Sequence, residues 1–188
     1  WGAQLNYGPT ALPYQRITTA TSYDTAGFPL YLKFDGVDDF MSTAAIDFTG
    51  TDKLALWAGV KLSDLAGFDG LIGFGSAAAG TFWSYSNASI LEWKVQGATG
   101  VTRVAQAAFS ASDPSVITTA MNLSGATLPE CLSVSINGAP ALTALGDICG
   151  GGVFGNRVLT IGEAAGVYLS GHLYSNVCLG REATADEL

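Results

Sequence analysis

Basic residues are scarce in this chain: eight Lys and Arg stand against sixteen Asp and Glu, a net charge of −8 over 188 residues. They occur singly, so no patch is available to neutralise a phosphate backbone, and nucleic acid is not an expected partner. Long apolar runs are missing too. The longest falls far below the roughly 18 residues of a membrane span, and no basic stretch precedes an apolar one at the start. Neither membrane insertion nor an export signal is expected, and a soluble chain is. The single histidine, His172 in SGHLYS, has no acidic sequence neighbour, and no G-x-S-x-G elbow occurs, so it reads as a surface or packing residue. No E-x-D or E-x-D-x-x-E run exists: Glu92 stands alone in ILEWKV and Glu163 alone after VLTIG. The two carboxylates that a retaining glycosidase holds about 5 Å apart are therefore absent from any one strand face. No catalytic residue is assigned, and an enzyme is not expected. Cys131, Cys149 and Cys178 show neither C-x-x-C spacing nor a histidine-rich setting, which argues against zinc. They read as buried or half-buried thiols, with a Cys131–Cys149 bridge as the alternative in an oxidising compartment. No cofactor and no metal ion is expected.

What the chain has is glycine, 24 residues of it, with only 13% charged residues, a composition of strands and tight turns rather than exposed helices. Residues 1–29 carry Pro9, Pro13 and Pro29 among polar Thr runs. They predict a strand and linker, and a chain that opens on Trp1 is expected to be a piece of something longer. From Leu30 the apolar period is two. Leu30, Leu32 and Phe34 share one strand face, and Leu54, Leu56, Ala58, Val60 and Leu62 another, with Trp57 and Lys61 opposite. GLIGFG (70–75), TFWSYS (81–86), ILEWKV (90–95), RVAQAAF (103–109), VITTAMNL (116–123), LSVSI (132–136), VLTIG (158–162) and VYLSGHLYSNVCL (167–179) follow. Roughly ten or more short strands between S-N, N-G, G-D and G-G-G turns predict an all-β, antiparallel two-sheet β-sandwich. Helix is expected only as one turn at 184–188, where Thr184 precedes Glu187 by three residues.

The segment YLKFDGVDDF places Asp35, Asp38 and Asp39 within five positions. Asp-Gly is a strong hairpin dipeptide, and Gly36 stands where a tight reversal needs positive φ. Calcium wants six to eight oxygens from a spacing such as D-x-D-x-D-G, which DGVDD does not supply. The turn is the preferred reading and a calcium site the alternative.

FDGVDDFM, KLALWAGVKLSD, LSVSINGAP and the closing LTIGEAAGVYLSGHLYSNVCLGREATADEL together resemble the laminin-G-like, concanavalin-A-like jelly-roll family over residues 30–188. The resemblance implies a jelly-roll domain at 30–188 behind an N-terminal strand and linker at 1–29. It also implies that the three aspartates are structural. Within that family the chain looks most like modules of bacteriophage tail and virion proteins. That implies a tail fibre or spike, a homotrimer, and partners among host-surface glycans or receptors and other virion proteins. Sugar recognition needs flat aromatic faces beside fixed polar groups, and the candidates are Trp83 and Tyr85, on one face of TFWSYS, and Trp93 between Glu92 and Lys94. Packing of the same rings between sheets or subunits, Trp57 included, is the competing expectation. A purely structural virion component is the alternative function, favoured by low charge and positive mean hydropathy. An endoglycosidase of the same fold is disfavoured by the missing carboxylate pair.

Overall fold

Period-two patterning builds strands here because one face of each can be buried against a second sheet while the other meets solvent. A computed structural model describes residues 31–63, 67–75, 78–87, 90–106, 113–140 and 144–184. The lead segment 1–29, the expected helical turn beyond Thr184 and the end of RVAQAAF fall outside them.

Chain order gives β1 (Leu32–Asp35), β2 (Met41–Asp47), β3 (Lys53–Leu62), β4 (Phe68–Phe74), β5 (Thr81–Asn87), β6 (Ile90–Gln96), β7 (Val101–Gln106) and β8 (Ser115–Asn122). A one-turn helix, α1 (Leu128–Cys131), precedes β9 (Leu132–Ile136), β10 (Ala139–Pro140), β11 (Ala144–Gly146), β12 (Asn156–Ile161), β13 (Glu163–Ala164), β14 (Val167–Tyr168) and β15 (Ser170–Leu179). They pair antiparallel into a six-stranded sheet, β1-β15-β3-β8-β9-β10, and a seven-stranded sheet, β11-β7-β6-β5-β4-β12-β2, with β13-β14 as a separate hairpin. The molecule is the predicted antiparallel two-sheet jelly-roll sandwich.

The core lies between the two inner faces. Leu54, Leu56, Ala58, Val60 and Leu62 of β3 are all buried, as the alternation predicts, while Trp57 and Lys61 lie half-buried on the outside. From the other sheet come Leu71, Ile72 and Phe74 of β4, Phe82 of β5 and Leu91, Trp93 and Val95 of β6. Phe74 stacks on Phe82 at 5.5 Å, and Phe154 meets Phe82 edge-on at 6.3 Å. Each large side chain so buried contributes about 1.5–3 kcal/mol. Phe34 of β1 is buried as predicted, with Leu32 packed beside it.

Three local expectations change. The Asp35-Gly36 turn is not a hairpin, because β1 and β2 belong to different sheets. Gly36 does take φ +81°, and the Asp35 carboxylate accepts the Val37 N–H at 2.8 Å, so the turn passes the chain from one sheet to the other. The stretch 167–179 is two strands: Val167 and Tyr168 pair back onto β13, and β15 begins at Ser170. Among the described residues a helical turn that the sequence did not lead us to expect forms at LPEC, 128–131, with Pro129 in its first turn, a position that suits proline. By contrast Asn137-Gly138 forms the expected β9–β10 reversal, with φ +52° and +77°.

Candidate functional site

The register across β4, β5 and β6 decides which side chains reach solvent. Trp83 pairs with Gly73 on one side and Lys94 on the other, and Tyr85 with Gly70 and Glu92. Those residues form the outer face of the seven-stranded sheet. Ser84 pairs with Trp93, and both are buried on the inner face.

Trp93 is therefore a correction to the expected ligand set. Its ring is 1% exposed within the core, out of reach of any sugar, and its Nε1 has no hydrogen-bond partner among the described residues. Glu92 and Lys94, its sequence neighbours, face the other way. Trp83 and Tyr85 do share an outer face, but differently exposed. Trp83 is only 8% exposed, whereas Tyr85 is half-buried. Trp57 is on the outer face of the other sheet, paired with Thr118 and Val177.

The β13–β14 hairpin explains the cover over Trp83. It lies directly on the β4 backbone at two glycines. A Cβ at Gly70 would come within 2.1 Å of the Val167 carbonyl oxygen and 2.4 Å of the Ala164 nitrogen, and one at Gly73 within 3.3 Å of the Glu163 carbonyl oxygen and 3.4 Å of the Ala164 Cα. Both glycines register with the aromatic residues of β5, so the hairpin stands beside Trp83.

Tyr85 is held by charge. Its hydroxyl donates to Glu92 Oε2 at 3.2 Å and accepts from Lys94 Nζ. Lys94 is 3.2 Å from the same Glu92 oxygen and 4.8 Å from the Tyr85 ring centroid, within cation–π range. Burial by itself would lower the Lys94 pKa, but the hydrogen bonds to Tyr85 and Glu92 outweigh it and move it upward. The ammonium and carboxylate are thus a fixed pair. Phe68, 58% exposed, stands with its ring 6.0 Å from that of Tyr85. Phe68 was not among the expected ligands because the strand was expected to start at Gly70, whereas β4 starts at Phe68.

The same sheet holds an open groove of about 560 Å³ over β12, walled by Glu163, Ala165 and Gly166 of the hairpin and bordered by Ala45, Asn156 and Thr160. Arg157 also lines it; its Nε is shielded from solvent with no hydrogen-bond partner among the described residues. Glu163 is occupied, accepting the Gly166 N–H at 2.6 Å. Among the described residues, the acidic side chains that converge are Asp35, Asp38 and Asp39, all exposed.

No protein-family model and no curated protein matches the chain. Solved structures do. Domains LG4-5 of the mouse laminin α1 chain align at TM-score 0.61 with 9% identity, over 79% of this chain and 42% of that one. The CBM40 of the Ruminococcus gnavus IT-sialidase, bound to α2,3 sialyllactose, aligns at 0.55 with 11% identity over 84% and 95%. The binding domain of botulinum neurotoxin DC, in complex with SialylT, aligns at 0.62 with 11% identity over 87% and 42%. The chain thus spans less than half of the laminin and neurotoxin chains. Similarity at this identity establishes a laminin-G-like, concanavalin-A-like fold.

Proposed function

We propose that this domain is a non-enzymatic recognition module that holds a saccharide, free or on a receptor, against the outer face of its seven-stranded sheet. One observation carries the reading: the solvent-facing Phe68 and Tyr85 rings stand beside the fixed Lys94–Glu92 pair. That combination offers an apolar platform for sugar C–H faces and oriented polar groups for hydroxyls. The fold neighbours support the class, since the CBM40 structure holds sialyllactose. Carriage on a bacteriophage tail fibre or spike, and trimerisation there, rests on the sequence resemblance.

Binding of immobilised host-type glycans by the purified chain tests the reading. Phe68→Ala and Tyr85→Ala should each weaken binding by about tenfold, roughly 1.4 kcal/mol, while circular dichroism stays unchanged. Full binding by both folded variants would remove the site.

A structural role has its own supporting observation. Phe40 and Met41, 50 and 47% exposed, stand at the start of edge strand β2, and Val158, 42% exposed, lies on its neighbour β12, exposed apolar residues along an edge suited to a second subunit. Under that reading Met41→Lys lowers the native mass measured by light scattering and leaves glycan binding intact.

A further inference from the structure

The opposite sheet carries a feature that this reading does not use. On the outer face of β1, β15 and β3, Lys33, His172 and Lys61 are direct cross-strand partners in one row. Like charges placed side by side on a sheet are unfavourable, and this chain is otherwise acidic. Lys53 and Lys94 have carboxylate partners, Glu182 and Glu92. Lys33 and Lys61 have none within ion-pairing distance among the described residues. Two rings line the same row: Tyr31 stacks on His172 at 4.1 Å, and Tyr174 is 5.7 Å from Tyr31. Tyr31 and Tyr174 are 40 and 38% exposed.

We infer that the Lys33–His172–Lys61 row is a second binding site, for a carboxylated saccharide. The cations meet carboxylates, and the Tyr31 and Tyr174 faces meet the sugar rings. Two strand spacings separate the lysine Cα atoms by about 10 Å, the length of a disaccharide unit. The groups facing His172 are Tyr31, which immediately precedes β1, Lys33 from β1, Lys61 from β3 and Tyr174 from β15. Asp35 is two residues along β1, opposite Ser170, with its carboxylate on the Val37 N–H. Burial, and then the Lys61 and Lys33 charges, hold His172 below its usual 6.5. A carboxylate between the lysines would reverse that repulsion, so the imidazole takes up a proton as the ligand binds.

The experiment is calorimetric titration of the full chain with trigalacturonate at low salt, with the His172 ring protons followed by NMR across pH 5–8. Trigalacturonate should bind, and its saturation should raise the His172 midpoint. Lys33→Gln/Lys61→Gln should weaken binding at least tenfold and raise the His172 midpoint of the free protein. Tighter binding of sialyllactose than of trigalacturonate, lost in the same variant, supports the site and identifies a sialic acid as its carboxylate. Three results would each overturn the inference: affinity unchanged in the double variant, equal binding of neutral maltotriose, or equal binding of a glutamate trimer. Because Phe68 and Tyr85 lie on the other sheet, loss of this site in the double lysine variant leaves binding there untouched, and the two proposals fail separately.

Discussion

Trp83 and Trp93 are ten residues apart, on adjacent strands, and on opposite faces of one sheet. The alternation of Leu91, Trp93 and Val95 against Glu92 and Lys94 carries the inward facing of Trp93, so its core role was legible in the same pattern that nominated it. Trp93→Ala should lower stability by about 3–5 kcal/mol in chemical denaturation, against under 1 kcal/mol for Phe68→Ala. The cover over Trp83 was not legible, because it comes from a hairpin some eighty residues later in the chain. Cys178 makes a titration argument. Burial pushes its thiol up to about 11 from 9.0, so the neutral form is favoured on folding. The associated stability is complete below pH 9 and is lost as pH rises through about 11. Alkylation of Cys178 in the native protein should therefore still be accelerating between pH 9 and 10, where an ordinary thiol levels off. A plateau near pH 9 by mass spectrometry would contradict the burial.

Among the elements, β3 and the Asn137-Gly138 turn follow from local sequence alone, since one needs only alternation and the other only two residues tolerant of positive φ. The β13–β14 hairpin does not. Its strands are two residues each, below what periodicity can detect, and what fixes it is the bare backbone of β4. Gly70 lacks positive φ and so could take a side chain conformationally; the obstacle is the hairpin lying on it. Gly70→Ala should destabilise the fold by about 1–3 kcal/mol and loosen the hairpin, read as faster amide exchange at Val167 and Leu169. Edge strand β2 was also missed, because its exposed MSTAAID sequence has no apolar face to alternate.

Across the whole molecule the two sheets are joined by more than apolar packing. Asp69 of β4 is 4% exposed and accepts from Ser86 Oγ at 3.0 Å in its own sheet and from the Ser170 N–H at 2.8 Å in the other. Asp69→Ala strands both donors and should cost about 3 kcal/mol, measured as a lowered thermal midpoint with unchanged strand content. The two-sheet class was legible because many short alternating strands admit few other architectures. Which side chains share each outer face was not, since it depends on which strands become neighbours. One such neighbourhood governs how the domain bears load. β1 is an outer strand held by four residue pairs to β15, Leu32 opposite Leu173 at one end and Asp35 opposite Ser170 at the other. β15 runs on past Leu173 to Leu179, so the start of β1 and the end of β15 lie at the same end of the pair. Tension applied between them opens the β1–β15 ladder like a zipper, one pair after another from Leu32, instead of shearing all four at once. Stretched singly, the domain should yield first at β1, at low force, while the rest of the sandwich holds.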